Sequence, residues 1–315
     1  MKNHFQTPMT IQALKNNAVK IFTDCGFSTP QLDADCLLQF LLNKDKTWVL
    51  LHRDEKLTSD QQNEFNALVE KRKTGLPIAY ITGKKEFYGI EYFVTPDVLI
   101  PKPDTEILIE TAVNKILDLK KETVKIIDVC TGSGCVGLSV LKELLDKNCN
   151  SKIELTLTDI STAALKVAEK NAKNIFGDKL IGAEIKLLNG DLLCKTSGYD
   201  FILSNPPYVP HSEVEELLKD GRSEPRLALD GDTDTALNDG LHSADDVQTD
   251  DGLPIIRRLV LAAYEALNSG GSFIMESGEY QTETVRRLFT DVGFINVISE
   301  KDLSGMERIT IGDKK

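Results

Sequence analysis

Four short polar clusters in this chain have the residue types and spacing to hold a nucleoside and pass a group from it to a nitrogen. The most specific is Tyr199-Asp-Phe-Ile-Leu-Ser-Asn205-Pro-Pro-Tyr208, an apolar strand that breaks at Asn-Pro-Pro-Tyr. An amide or amino nitrogen is a poor nucleophile while its lone pair is delocalised. A site that methylates one must hold both N–H groups on acceptors and aim the lone pair at the donor. The Asn205 side-chain oxygen and the Pro206 carbonyl can be those acceptors. Pro206 and Pro207 each fix φ, remove a backbone donor and restrict the residue before them, so the acceptors are pre-oriented with few competing donors. Tyr208 adds an aromatic wall. The same residues also make an ordinary strand-ending turn, so the motif needs company to carry a function.

That company comes in order along the chain. Ile126-Ile-Asp128-Val-Cys130-Thr131-Gly132-Ser133-Gly134 places a glycine-rich turn between a buried strand and a helix, where backbone can approach a ligand closely. Asp159 ends the next strand, about where an acid would reach a pair of ribose hydroxyls. Asp191 ends the third strand, within reach of a base edge, and Leu192 follows to pack on the ring. A lone Gly-x-Gly is weak evidence, whereas three such strand ends followed by Asn-Pro-Pro-Tyr at the fourth are strong. All four fall on the carboxyl edge expected to form the ligand crevice of an open α/β sheet. The turn lacks the third glycine of a dinucleotide fingerprint, because Gly137 is out of register. The pattern therefore points to a smaller nucleoside donor, S-adenosylmethionine, with S-adenosylhomocysteine as product and no metal.

The elements that must position these groups can be read from periodicity. Ile11, Leu14, Ala18, Ile21, Phe22 and Cys25 recur at spacings of three and four, a helical core stripe. A second helix is expected from Thr29 with Pro30 at its first position. A third is expected at Thr58-Ser-Asp-Gln61, a capping box, ending in Lys71-Arg-Lys73 before Gly75. That basic run reads as favourable charge at a helix C-terminus. Residues 87–94 read as a hairpin around a glycine, and the prolines of Val98-Leu-Ile-Pro101-Lys102-Pro-Asp-Thr-Glu106 precede a helix over residues 105–119. Strand-like and helix-like runs then alternate. The expected fold is α/β: a doubly wound, mostly parallel sheet with helices on both faces and a C-terminal antiparallel hairpin, preceded by a small helical bundle. Expected boundaries are 1–75 for a helical substrate-recognition domain, 76–96 for a hairpin linker and 97–315 for the nucleoside-binding domain.

Composition narrows the classes. The chain has 315 residues, 41% hydrophobic and 27% charged, enough for one full-sized core and a smaller second one. No apolar run spans a bilayer and the first residues lack the apolar core of a secretory signal, so a cytoplasmic protein is expected. Six cysteines without a CxxC pair and four scattered histidines argue against a metal site or a disulfide frame. A net charge of −12 argues against broad contact with a phosphate backbone.

Taken together, the helical N-terminal region, Glu86-Phe87-Tyr-Gly, Leu99-Ile-Pro-Lys-Pro-Asp-Thr-Glu106, Asp128-Val-Cys-Thr-Gly-Ser-Gly134, Ser204-Asn-Pro-Pro-Tyr-Val209 and Glu224-Pro225 resemble the release factor glutamine methyltransferases. The resemblance runs from about Leu14 to Gly312. It implies a class I S-adenosylmethionine-dependent fold. The implied activity is methylation of the side-chain amide nitrogen (N5) of the glutamine in the Gly-Gly-Gln loop of class 1 peptide chain release factors. It implies a donor site at Cys130, Thr131, Gly132, Ser133, Gly134, Asp159, Asp191 and Leu192, with Asn205 bordering it. Asn205 and Pro206 would accept from the glutamine amide, with Phe87 and Tyr208 as aromatic walls and Pro207 and Glu224 beside the substrate. A monomer that contacts neither membrane nor nucleic acid is expected.

The chain departs from that family in three places. Cys130 stands where the glycine motif usually begins with glycine, and Lys102 where the proline-flanked loop usually has arginine, which lysine cannot match in bidentate contacts. An acidic stretch over residues 230–252 contains eight aspartates and no lysine or arginine. Asp230, Asp232 and Asp234 imitate the start of a calcium loop, but Thr235 replaces its glycine and Leu241 its closing glutamate, so a solvated loop is expected. Other readings stay open: an amino methyltransferase for a nucleic-acid base, an enzyme for a ribosomal-protein glutamine, or a donor-binding module without turnover.

Overall fold

The computed structural model describes residues 9–177, 180–219, 224–233 and 250–315. The chain divides into two compact units, Met1–Gly83 with Leu217–Ser223, and Lys84–Glu216 with Glu224–Lys315. No helix among the described residues is long and apolar enough to cross a membrane.

In the first unit the apolar stripe becomes α1 (Ile11–Asp24), capped by the Thr10 side chain, which accepts from the Ala13 N–H. Helix α2 (Pro30–Leu42) starts at its proline, and α4 (Ser59–Lys73) carries both halves of the Thr58/Gln61 capping box, a device worth about 1 kcal/mol. Two shorter helices, α3 (Lys46–Leu51) and α5 (Ile78–Thr82), complete the unit. Residues 78–82 lie in a stretch that reads as strand-like; Pro77 starts a single helical turn there, too short to show a period. Ile11, Leu14, Phe22, Leu37, Leu38, Phe65 and Val69 meet in one core. Within the basic run, Arg72 is not a solvated end charge. It pairs with the buried Asp33 at 2.8 Å, donates to the Gly75 and Leu76 carbonyls and lies over the Phe27 ring.

The second unit opens with the expected hairpin, β1 (Lys84–Phe87) and β2 (Ile90–Phe93), turned at Tyr88 and Gly89, both with positive φ. There follow α6 (Glu106–Asp118), β3 (Thr123–Val129), α7 (Cys135–Asp146), β4 (Lys152–Asp159), α8 (Thr162–Phe176), β5 (Ala183–Asn189) and β6 (Tyr199–Ser204). Then come α9 (His211–Lys219), of which residues 211–216 belong to this unit, α10 (Pro254–Ala266), β7 (Leu267–Glu276), α11 (Thr282–Val292), β8 (Ile295–Lys301) and β9 (Glu307–Asp313). The strands form one sheet in the order β5-β4-β3-β6-β7-β9-β8. Five strands are parallel, and β9 runs antiparallel to β7 on one side and β8 on the other.

Helices α10 and α11 press Ile256, Leu259, Val260, Val285 and Phe289 onto one sheet face, against Ile127, Val129, Ile202, Phe273 and Met275. On the other face α7 lies so close that a Cβ on Gly137 would stand 2.7 Å from Leu157 and 3.0 Å from Asp128. Burial on both faces explains why β6 is a continuous buried run rather than an alternating one. The strand order reverses between β3 and β6, and the crevice outside the carboxyl ends at such a switch point is where open α/β sheets take ligands.

The two described ends of the acidic stretch meet at two glycines packed on each other. A Cβ on Gly231 would stand 2.2 Å from the Gly252 carbonyl, and one on Gly252 would stand 2.1 Å from that of Tyr208. Its described ends are tied down: Asp232 accepts from the His211 and Gly252 N–H groups and Asp250 from the Ser212 N–H, each within 3.0 Å. Asp234, Thr235 and Leu241 lie outside the described residues.

Candidate active site

The switch point opens into a cavity of about 250 Å³. Four of its walls are the strand ends singled out from the sequence. Cys130, Thr131, Gly132 and Ser133 line it after β3, Asp159 at the end of β4, Asp191 and Leu192 after β5, and Asn205 and Pro207 after β6. A fifth wall, Pro101, Lys102 and Thr105, comes from the proline-rich segment before α6.

The glycine turn is built by two glycines with different tasks. Gly132 has φ +54° and nothing within 4 Å of where a Cβ would sit, so it supplies conformation and an open approach. Gly134, with φ +82°, begins α7, and a Cβ there would meet Leu138 at 2.8 Å. Cys130 also has positive φ, 58°, a conformation that a side chain makes costly. Burial, followed by the charges of Asp159, Asp128 and Asp191, pushes its thiol up, so it is a neutral packing group rather than a nucleophile.

Asp128 lies behind the turn and holds its shape. Its Oδ2 accepts from the Thr131 hydroxyl at 2.6 Å and from the Gly137 N–H at 2.9 Å. Burial pushes this carboxyl up to about 7, against those two bonds. Asp159 accepts from the Gly132 N–H on Oδ2 and from the Ser161 N–H on Oδ1, both at 2.9 Å, and its carboxyl is also raised by burial. Asp191 pairs with Arg258, and Leu192, with φ 48°, turns its carbonyl to the Thr158 hydroxyl. Ser133 Oγ is buried and has no hydrogen-bond partner. An orphaned hydroxyl, an acid at the end of β4 and a glycine with open space beside it suit the polar ends of S-adenosylmethionine. Gly132, Ser133, Asp159, Asp191 and Leu192 are the residues that would hold it.

At the end of β6 the Ser204 hydroxyl donates to the Val129 carbonyl at 2.8 Å, tying the two switch-point strands together. Asn205 Nδ2 donates to Thr105 Oγ1 at 3.1 Å, which leaves Oδ1 as the side-chain atom available to a substrate amide. Of the other substrate-side residues, Pro207 lines the cavity, whereas Phe87, Pro206, Tyr208 and Glu224 are set back from it. The Phe87 ring is buried 6.1 Å from Tyr92 in an edge-on contact. The Tyr208 phenol donates to Glu276 Oε1 at 3.1 Å, and its carbonyl accepts from Gln281 Nε2 at 2.9 Å. Glu224 is buried and accepts from Lys102 Nζ at 2.8 Å, so it reaches the cavity through Lys102.

The sequence reading passed over three groups in this neighbourhood: Asp128, Thr105 and Glu276. Asp128 and Thr105 stand inside motifs already quoted. Glu276 had a usable signal, an acid closing the apolar run Phe273-Ile-Met275 at the carboxyl edge of the sheet.

Residues 13–83 match the PrmC N-terminal domain, and residues 103–231 match the methyltransferase small domain. A release factor glutamine methyltransferase of Bordetella pertussis is 35% identical over 286 residues, covering 90% of this chain and 94% of that protein. Those of Koribacter versatilis and Leptospira interrogans are 32% and 34% identical, each covering 97% of this chain and 99% of the relative. At this identity over nearly the full length, the chain belongs to the release factor glutamine methyltransferase family of S-adenosylmethionine-dependent enzymes.

Proposed function

We propose that this enzyme methylates the side-chain amide nitrogen of the glutamine in the Gly-Gly-Gln motif of class 1 peptide chain release factors. The observation that carries the reading is the Asn205 amide, fixed by its Nδ2–Thr105 bond at the mouth of β6 beside the glycine turn. S-adenosylmethionine supplies a sulfonium methyl. The Asn205 Oδ1 and the Pro206 carbonyl accept the two amide N–H bonds, which orients the nitrogen lone pair toward that methyl. A nitrogen–carbon bond forms as the carbon–sulfur bond breaks, and the amide proton leaves to solvent. The gain comes from positioning and fixed dipoles. The relatives' name, release factor glutamine methyltransferase, supports a release factor as the substrate. Incubation with methyl-labelled donor should label a release factor, leave its Gly-Gly-Gln Gln→Ala variant unlabelled and leave total RNA unlabelled. Label in RNA with none in the release factor would overturn the reading.

A further inference from the structure

Asn171 is fully buried in α8 and belongs to none of the strand-end motifs. Its side chain nonetheless bonds to two segments distant in the chain. At the end of β2 its Oδ1 accepts from the Phe93 N–H at 2.7 Å, and its Nδ2 donates to the Phe93 carbonyl at 2.9 Å. Nδ2 also donates to the Ser133 carbonyl at 2.8 Å, in the glycine turn that lines the cavity. Phe93 decides which way round this amide sits, because a flip would set N–H against N–H and a carbonyl against two carbonyls. The donor aimed at Ser133 is therefore fixed by the hairpin rather than by the turn it holds.

We propose that Asn171 is a positioning residue for the donor site, fixing the peptide between Ser133 and Gly134 so that the turn keeps the shape that takes S-adenosylmethionine. The inference rests on the reading of that turn as the donor site. Ser133 stands between two glycines with φ of +54° and +82°, so its backbone is soft and needs outside bonds to select one conformation. The Ser133–Gly134 peptide is held at both ends, its carbonyl by Asn171 and its N–H by the Thr131 carbonyl at 2.8 Å. Elsewhere the turn is held by Asp128, through the Thr131 hydroxyl, and by Asp159, through the Gly132 N–H. Side chains from β3, β4 and α8 thus each hold one part of it. Asp128 and Asp159 line the cavity, whereas Asn171 lies behind it and acts only through Ser133.

The hairpin is a firm anchor for this amide. The Tyr92 hydroxyl lies 2.7 Å from Ser139 Oγ and donates to the Cys135 carbonyl at 3.3 Å, fastening β2 to α7. Lys170 Nζ lies 3.2 Å from the centre of the Phe93 ring, a second tie between β2 and α8. Without the Asn171 amide, the Ser133 carbonyl and both main-chain groups of Phe93 lose a partner, and the peptide beside Gly134 is free to rotate. The Ser133 hydroxyl, buried and without a partner, moves with that backbone, so a donor would meet a turn that samples several shapes.

The test uses the full chain, calorimetric titration with S-adenosylmethionine and methyl transfer to a release factor. Asn171→Ala leaves a polar space that water can enter. It should weaken donor affinity by about tenfold or more while kcat at saturating donor stays within about threefold. Lys121→Met is the control for lost stability: it takes the cation from the buried Asp200 at the opposite end of the sheet. It should lower the unfolding temperature with donor affinity within about twofold of wild type. In the wild-type chain, saturating S-adenosylmethionine should slow amide hydrogen exchange over residues 90–93 more than in β8, a readout that needs no variant to fold. Donor affinity of folded Asn171→Ala within about twofold of wild type, an equal loss in Lys121→Met, or equal slowing in the two segments would each overturn the proposal. Asp159→Ala distinguishes the levels. If it weakens the donor while Asn171→Ala does not, only the positioning role fails; if neither weakens it, the donor site fails as well.

Discussion

The Gly132 backbone N–H donates to Asp159 Oδ2 at 2.9 Å, so the glycine turn after β3 and the acid at the end of β4 form one rigid corner of the cavity. Asp159 therefore shapes the turn, and in the proposed donor site its remaining lone pairs would take a ribose. Asp159→Ala should weaken donor binding by roughly ten- to a hundredfold, the range for losing a hydrogen bond to a charged group. Calorimetric titration with S-adenosylmethionine measures it, and unchanged affinity would remove Asp159 from the donor site.

Cys130 occupies a left-handed backbone position with φ 58°, in a turn whose family counterparts usually have glycine there. Cys130→Gly relieves strain of about 1 kcal/mol and loses a small packed thiol, so stability and donor affinity should change little. Cys130→Val adds a β-branched side chain at the same φ and should lower the melting temperature by several degrees and weaken the donor. Equal behaviour of the two variants would mean that the turn tolerates any residue.

What the sequence made legible was local. The spacing of Ile11, Leu14 and Ala18, the Thr58/Gln61 capping box and the hairpin around Gly89 each act over a few residues, and each appears in the structure where its pattern places it. Two short helices were not legible, because Lys46–Leu51 and Ile78–Thr82 are too short to repeat a period. Strand β7 starts at Leu267-Asn-Ser-Gly-Gly, where glycines and polar residues conceal a strand that begins directly after α10. The antiparallel pairing of β8 with β9 was readable from their closeness in sequence. The insertion of β9 between β7 and β8 was not, since it depends on contacts distant in the chain. The cavity's strand-end groups were legible because each ends its own strand. The Asn205–Thr105 bond joins two remote segments and could be seen only once the sheet was assembled.

Burial holds the Asp128 and Glu276 carboxyls up at about 7, well above the range near 4 that they take when unfolded. Between those values the folded chain binds more protons than the unfolded chain, so the stability from these groups is full below pH 4 and is lost as pH rises through about 7. The Glu276→Gln variant lacks one of the two groups. Its melting temperature relative to wild type should therefore rise between pH 5 and 8, within the range of about 4 to 8 over which such a carboxyl titrates. A difference constant with pH would show that Glu276 ionises normally.

Lys102 and Glu224 form an unequal pair, with 42% of the lysine side chain exposed and 6% of the glutamate. Besides Lys102, Glu224 has the Ile100 N–H at 3.4 Å. Lys102→Met should therefore destabilise more than Glu224→Gln, because it strands a buried carboxylate, whereas the second change removes the charge along with the need for a partner. Combining the two should recover part of the loss, and thermal unfolding of the three variants decides it. The bond also positions the Pro101–Lys102 wall of the cavity, so Lys102→Met should raise the KM for donor or acceptor. Equal unfolding temperatures for both single variants would mean that the pair is solvated and structurally idle.

The balance of charge separates a protein acceptor from a nucleic-acid one. A protein that grips six to ten phosphates loses about 10³ to 10⁵ in affinity between 50 and 200 mM salt, because each neutralised phosphate releases a counterion that added salt drives back. This chain has 37 basic against 49 acidic residues, and four of its acidic residues, Asp97, Asp128, Asp159 and Asp191, line the cavity itself. If the acceptor is recognised through an amide held by Asn205, the selective contacts are short-range hydrogen bonds that salt barely screens. The kcat/KM for a release factor should therefore change by less than about tenfold across that salt range, well short of the loss expected for phosphate contacts. Initial rates with labelled donor at four or five salt concentrations measure the slope. A fall of a thousandfold, with label appearing in RNA at the lowest salt, would identify phosphate contacts as the source of binding and move the acceptor from a protein to a nucleic acid.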